Sequence, residues 1–118
     1  MKFIRLIIIL GMLAPMLAAA NTADAAAEIE YLLTTVGSSG CIFIRNGKRH
    51  SAEDAEAHLR MKHKRGKRYA TTAETFIERL AGSSSMSKKP YYIECSSDEP
   101  VPSSDWLTRR LHDYRAER

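Results

Sequence analysis

Four segments of the chain carry apolar residues at the spacing of an amphipathic helix. The pattern predicts helices at about 25–37, 51–65 and 71–82, and a last helix that Ser103 or Ser104 caps at its N-terminus. Glycine closes each of the first three segments, as is typical of helix C-termini. The apolar faces consist of Ile29, Leu32, Leu33 and Val36; Ala52, Ala55 and Leu59; Ala73, Phe76, Ile77 and Leu80; and Trp106, Leu107, Leu111 and Tyr114.

The second and third helices begin with the spacing of a capping box. Ser51 precedes Asp54 by three residues, and Thr71 precedes Glu74 by the same interval. In this arrangement the hydroxyl accepts a hydrogen bond from the third helical N–H. We therefore predict Ser51 and Thr71 as N-caps.

Short runs of β-branched and aromatic residues predict a small sheet. The runs lie at 41–45 and 91–95, separated by helical segments. Asn46-Gly47 directly follows the first run and is a strong signal for a tight hairpin turn. Residues 48–50 are therefore expected to fold back as a short strand, which gives two to three strands.

The start of the chain has the pattern of a cleavable signal peptide. Lys2 and Arg5 precede the uncharged stretch 6–20, which ends in three alanines. Its apolar core is shorter than the roughly 20 residues that a membrane-spanning helix needs. We expect cleavage after residue 20, or alternatively after residue 25, leaving a single globular domain at 21–118 with no transmembrane segment.

The chain has two cysteines, Cys41 and Cys95, and both lie beyond the signal peptide. In an oxidising compartment they are expected to form one internal disulfide. Two buried thiols and an intermolecular bridge are the alternatives. If the bridge joins antiparallel strands, Phe43 lies opposite Ile93 and Arg45 opposite Tyr91, because side chains alternate with a period of two.

These elements predict an α+β domain with about four helices packed on a small antiparallel sheet and one disulfide. Since Ile42 and Ile44 would face away from Phe43, we expect helices to cover both faces of the sheet. The formal net charge of +4 includes Lys2 and Arg5. The net charge that remains after cleavage is small, so it favours no particular class of partner. We expect the protein to be a monomer.

Several motifs resemble the YfeK-like family of small exported bacterial proteins, a domain of unknown function. The resemblance extends from residue 28 to residue 115 and implies a periplasmic location in Gram-negative bacteria. Lys88 departs from the family pattern, S-x-S-G-K-P-Y, at the glycine. The motifs that carry the resemblance are CIFIRNGKRH at 41–50, AHLRMK at 57–62, TAETFI at 72–77, and Ser84-Ser85 followed by Lys89-Pro90-Tyr91.

Polar residues near the predicted second helix could form a binding pocket. His58 and Lys62 lie one helical turn apart at the edge of the apolar face. Together with Arg45 and Glu74 they would suit an anion or a carboxylated ligand. The simpler interpretation, which we favour from the sequence, is that His58 satisfies a backbone carbonyl, Lys62 extends to water, and Arg45 stacks on Tyr91 or pairs with Glu74.

No motif predicts a catalytic residue, a metal ligand or a cofactor. The four histidines do not have H-x-x-x-H spacing, and bridged cysteines cannot bind zinc. The serines at 83–87 lie in a loop without a G-x-S-x-G context. Paired carboxylates for glycan cleavage would need a defined separation that the sequence does not give.

A run of cations without an acid occupies residues 60–68. An exported protein would meet lipid headgroups, lipopolysaccharide phosphates or wall carboxylates through such a run, rather than nucleic acid. The simpler explanation is that cations accumulate at a helix C-terminus because the macrodipole favours them there. The run contains Arg60, Lys62, Lys64, Arg65, Lys67 and Arg68.

We therefore expect a non-enzymatic module that binds an envelope protein or an anionic envelope polymer. The alternative is a small envelope hydrolase that uses His58 with Glu74 or a loop serine, and it requires these side chains to converge in a cleft. The predicted binding residues are Arg45, Asn46, His58, Arg60, Lys62, Glu74, Ser84, Ser85 and Tyr91.

Overall fold

The computed structural model describes Gly11, residues 22–96 and residues 98–118. These residues form four α-helices and four short strands, with one turn of 3-10 helix at Lys67–Tyr69. The predicted signal peptide at 1–20 lies outside the described residues, apart from Gly11. The elements are α1 (Thr22–Ser38), β1 (Ile42–Arg45), β2 (Lys48–His50), α2 (Ala52–Arg65), α3 (Ala73–Phe76, continued by a π-helical segment, Ile77–Ala81), β3 (Tyr92–Glu94), β4 (Val101–Pro102) and α4 (Ser103–Ala116).

The predicted α+β class with four helices, an antiparallel sheet and one disulfide is confirmed. The sheet has the strand order β2-β1-β3-β4, so it contains one strand more than expected. The additional strand, β4, is only two residues long and pairs Val101 with Ile93. Within residues 22–96 and 98–118, no helix is both long enough and apolar enough to cross a membrane.

The register between β1 and β3 is the predicted one. Phe43 lies opposite Ile93 in the antiparallel ladder, and Cys41 is bonded to Cys95 two residues away along the same face. The hairpin between β1 and β2 turns at Asn46 and Gly47, whose φ angles are 50° and 77°. Positive φ at both central residues is the requirement of a type I′ turn, which explains the Asn-Gly pair.

The starts of the helices agree only in part with the prediction. Ser51 caps α2, and its Oγ accepts a hydrogen bond from the Asp54 N–H. The N-cap of α3 is Thr72 rather than Thr71, because Thr72 Oγ1 accepts from the Thr75 N–H at 3.0 Å and Thr75 Oγ1 accepts from the Thr72 N–H at 2.9 Å. Glu74 therefore is not part of the capping box.

The fourth helix also begins differently from the prediction. Pro102 is its N-cap, and no side chain caps it. Ser103 lies inside the helix, fully buried, where its Oγ donates to the Ala81 carbonyl oxygen at 3.0 Å. The hydroxyl thus joins α4 to the end of the π-helical segment instead of capping its own helix.

The core lies on one face of the sheet, between β1, β3 and the helices. Phe43 and Ile93 are 1% exposed and pack with buried side chains such as Leu59 and Leu107. The other face is not covered as expected, since Tyr92 is 38% exposed and its neighbour Ile44 is only half-buried. That face instead carries a two-point ion pair between Arg49 and Glu94.

Two arginines hold the helices together by forked ion pairs. Arg60 on α2 bonds both carboxylate oxygens of Glu30 on α1, at 2.8 Å each, and also bonds Glu56. Arg115 on α4 bonds both oxygens of Glu28 on α1 and pairs with Glu74 on α3. The paired geometry fixes the orientation of the partners as well as their distance.

Candidate functional site

A pocket of about 430 Å³ opens where the end of β1, one face of α2 and the loop after the π-helical segment meet. The predicted binding residues that line it are Arg45, Asn46, His58, Lys62, Ser84, Ser85 and Tyr91. The remaining wall is formed by Met61, Arg65, Gly66, Tyr69, Leu80 and Met86. The pocket thus collects residues from four separate segments of the sequence.

Local structure explains why these residues converge. On α2, His58, Met61, Lys62 and Arg65 are spaced three and four residues apart, so they share one face of the helix. Arg45 ends β1, and continuing the observed register by one pair places it beside Tyr91. The disulfide at the opposite end of the same strand pair fixes that register.

Lys62 is the most constrained cation in the pocket. Its Nζ donates to the Ser83 carbonyl oxygen at 2.9 Å and to the Tyr91 hydroxyl at 3.1 Å. The same ammonium lies 4.8 Å from the centre of the Tyr91 ring. Desolvation, together with the charges of Arg45 and Lys88, lowers the pKa of Lys62 to about 8. The side chain is therefore still mostly charged at neutral pH, although it is half-buried.

Arg45 and His58 carry buried nitrogen atoms without a partner among the described residues. Arg45 Nη2 approaches His50 Nδ1 at 3.4 Å, but its Nε has no hydrogen-bond partner. His58 Nε2 is likewise buried and unpaired. Burial, followed by the charges of Arg45 and Lys62, lowers the pKa of His58 to about 4, so the ring is neutral at pH 7. Polar atoms in a protein interior normally have partners. A third unpaired nitrogen, Arg110 Nε, lies outside the pocket, but two of the three in the described residues line it and are available to a ligand.

The pocket is cationic and otherwise mostly apolar. Arg45, Lys62 and Arg65 contribute positive charge, and none of the lining residues is a carboxylate. Burial raises the pKa of the Tyr91 hydroxyl, against the opposing effect of the nearby Arg45 charge. Tyr91 thus remains protonated and can donate a hydrogen bond. The arrangement suits an anion and disfavours a cation.

A short loop closes one side of the pocket and is tied to the β1–β2 turn. Ser84 Oγ accepts from the Ser87 N–H, and the Ser84 carbonyl oxygen accepts from the Lys88 N–H at 3.0 Å. Ser87 Oγ donates to Asn46 Oδ1 at 2.8 Å. The loop and the turn therefore form one hydrogen-bonded wall.

Comparison with protein families identifies the chain. A family described as "Family of unknown function (DUF5329)" matches residues 23–115. The chain belongs to this family. A curated relative, "Uncharacterized protein YfeK" of Salmonella typhimurium, is 47% identical over 49 residues, which cover 42% of this chain and 41% of that protein. The YfeK-like resemblance predicted from the motifs is thereby confirmed. No solved structure matches the chain.

The loop residue Lys88 has a φ of 64°, at the position where the family resemblance leads us to expect glycine. That left-handed backbone conformation costs an ordinary residue about 1–2 kcal/mol but is readily adopted by glycine. The loop therefore holds a lysine against its local backbone preference, and the Lys88 charge acts on Lys62.

Two predicted binding residues are not part of the pocket. Arg60 is held by Glu30 and Glu56 on the α1 side of the helix, and Glu74 pairs with Arg115. Glu74 lines a separate cavity of about 270 Å³ that does not include His58. The convergence of His58 with Glu74 that the hydrolase alternative requires is not found in this pocket, because Arg115 binds the Glu74 carboxylate.

The basic run at 60–68 does not form one surface. Lys62 and Arg65 line the pocket, whereas Lys64 and Lys67 are exposed outside it. Helical periodicity separates these neighbours, since consecutive residues point about 100° apart. The same periodicity could have identified Met61 as a pocket residue, while nothing in the sequence pointed to Tyr69, Leu80 or Met86.

Proposed function

We propose that this protein is a non-enzymatic binding protein of the bacterial envelope whose pocket takes up an anionic ligand. The ligand is either free or carried by an envelope protein or polymer, and the protein binds it as a monomer. The observation that carries the proposal is the Lys62 ammonium. It is half-buried, has no carboxylate around it, and faces a pocket open to solvent.

Unused hydrogen-bond donors on Lys62 and Arg45 support this proposal. An ammonium has three N–H donors, and Lys62 uses two of them, on Ser83 and Tyr91. Arg45 retains an unpaired Nε. Both cations therefore hold hydrogen-bonding capacity that an anion can satisfy, and such charge-assisted bonds are stronger than neutral ones.

The arrangement of His58 favours binding over catalysis. A serine nucleophile needs a base within hydrogen-bond reach. In the described part of the chain, His58 Nε2 has no partner, so neither Ser84 nor Ser85 is hydrogen-bonded to it. With Glu74 paired elsewhere, the hydrolase alternative has no observation in its favour.

Export to the periplasm is part of the proposal. The disulfide between Cys41 and Cys95 is typical of an oxidising compartment. Cleavage after residue 20 would leave α1 whole, whereas cleavage after residue 25 would remove its first turn. Mass spectrometry of protein from the periplasmic fraction of the native host is expected to give an N-terminus at Asn21, and an intact leader on cytosolic protein would contradict export.

Anion binding can be tested by NMR titration of the protein with its disulfide intact. Acetate, benzoate and inorganic phosphate are added separately at low ionic strength, and backbone amide shifts are followed. We expect the shifts to cluster at Arg45, Lys62 and the Ser84–Ser85 segment, and to disappear in Lys62→Met. Lys64→Met removes the same charge from an exposed position on the same helix and should behave as wild type. Shifts scattered over the surface, or equal losses in both variants, would refute the proposal.

A further inference from the structure

We propose that the ligand is a single-chain amphiphile, with an anionic head between Arg45 and Lys62 and an aliphatic chain along the methionine side of the pocket. This inference rests on the proposed anion-binding function and adds the chemistry of the rest of the ligand. The possible ligands have in common one anionic group on one unbranched apolar chain. A fatty carboxylate and a monoalkyl phosphate both have it.

The distribution of exposed apolar side chains carries the inference. Large hydrophobic side chains that are exposed in the described residues are Met61, Tyr69, Met86, Tyr92 and Val101. The first three all line this pocket. Exposed apolar side chains scattered singly need no explanation, but a cluster at the mouth of a pocket is typical of a binding surface.

The character of these side chains indicates an aliphatic chain. Met86 is 95% exposed and Met61 is 39% exposed, so both project from the wall rather than fill the core. Methionine is flexible and polarizable, and it adapts to chains of variable shape. Leu80 lines the same pocket and is buried, so it adds fixed apolar surface to that of the two methionines.

The pocket offers both kinds of surface that an amphiphile needs, cationic donors and apolar side chains. At the head end, Lys62 and Arg45 offer donors, and no carboxylate among the lining residues competes with the ligand. The volume of about 430 Å³ lies in the lower part of the range of roughly 300–1,000 Å³ that small-molecule sites occupy. A compact single chain is therefore favoured over a polymer segment.

The experiment is isothermal calorimetry with sodium salts of hexanoate, octanoate and decanoate below their micelle concentrations. We expect each further buried methylene to tighten binding by up to about fourfold. Decanol, which lacks the charge, is expected to bind at least tenfold more weakly than decanoate. Decyl phosphate serves as the second arm: tighter binding than decanoate assigns the head as a phosphate monoester, and weaker binding assigns it as a carboxylate.

Three variants make the outcome decisive. Lys62→Met should weaken decanoate binding at least tenfold, and Met86→Ser should reduce the gain per methylene, while Lys64→Met leaves both unchanged. Acetate binding in the pocket with no gain from chain length would overturn the amphiphile and leave the anion site standing. Failure of every anion, short or long, would overturn the proposed function itself. If Lys62→Met binds decanoate with the same affinity as wild type, the assigned position of the anionic head is refuted.

Discussion

Replacing Lys62 by methionine should make the protein more stable while abolishing anion binding. The side chain holds its charge in a half-buried position where desolvation and two neighbouring cations oppose it. Methionine has similar length and can follow the same path beside Tyr91 without a charge. A cation that serves the fold would show the opposite result, so the variant separates a structural role from a binding role.

The magnitude follows from the pKa of the amine. A fall from the ordinary value of 10.5 to about 8 sets an upper limit of about 3 kcal/mol on the preference against the charged form in the folded protein, and solvent screening of this half-buried group lowers that figure. The variant also loses the hydrogen bonds to Ser83 and Tyr91, each worth about 1 kcal/mol net. We therefore expect Lys62→Met to raise the free energy of unfolding by up to about 1 kcal/mol at pH 7.

The pH dependence gives an independent check of the same reasoning. Between the folded pKa near 8 and the unfolded value of 10.5, the unfolded chain binds more protons at Lys62 than the folded chain does. Wild-type stability must therefore rise with pH across this window relative to the variant. From pH 7.5 to 9.5 the predicted relative gain of wild type is about 2 kcal/mol.

Urea unfolding of wild type and Lys62→Met, followed by circular dichroism at several pH values, measures both quantities. Lys64→Met is the control, and its difference from wild type should stay flat with pH. Comparing wild type with the variant cancels the contributions of titrating groups that do not contact Lys62. Parallel stability curves over this pH range, or a variant destabilised by more than about 1 kcal/mol, would show that Lys62 supports the fold.

Three further changes have expected outcomes. The bridge between Cys41 and Cys95 spans 54 residues, so its reduction should lower the free energy of unfolding by about 4 kcal/mol. Urea titrations with and without reductant measure this difference, and a loss below about 1 kcal/mol would contradict the prediction. Lys88→Gly should stabilise the protein by up to about 1 kcal/mol, seen as a raised Tm, because its φ is positive. Ser103→Ala should cost about 1–3 kcal/mol in thermal unfolding, because it leaves the buried carbonyl oxygen of Ala81 unpaired.

The sheet register could be predicted because two constraints agreed. Bridged cysteines at 41 and 95 bring their strands together, and the alternation of side chains then places Phe43 opposite Ile93. The second strand followed from Asn46-Gly47, since few sequences adopt positive φ at two successive residues. In each case the prediction depended on local geometry or on one covalent link.

The misses involve interactions that local patterns do not encode. β4 has two residues, one of them proline, and exists only because it pairs with β3. Thr71 and Thr72 both offer a cap hydroxyl, and the choice between them depended on Thr75. Glu74 is predicted from the sequence as a pocket residue because nothing near it in the sequence indicates Arg115 as its partner.

Part of the irregular backbone in the described residues lies around the pocket, while Ser96, which also has a positive φ, lies next to the disulfide. Asn46 and Lys88 have positive φ, and one lies in the pocket wall while the other acts on Lys62. Leu80, which forms the inner wall, belongs to a π-helical segment. Strained and π-helical residues persist where the surrounding structure compensates for them, and such residues are frequent at functional sites. The positive φ of Asn46 is already required by the hairpin turn, but a pocket that only filled space would not need the half-buried charge of Lys62.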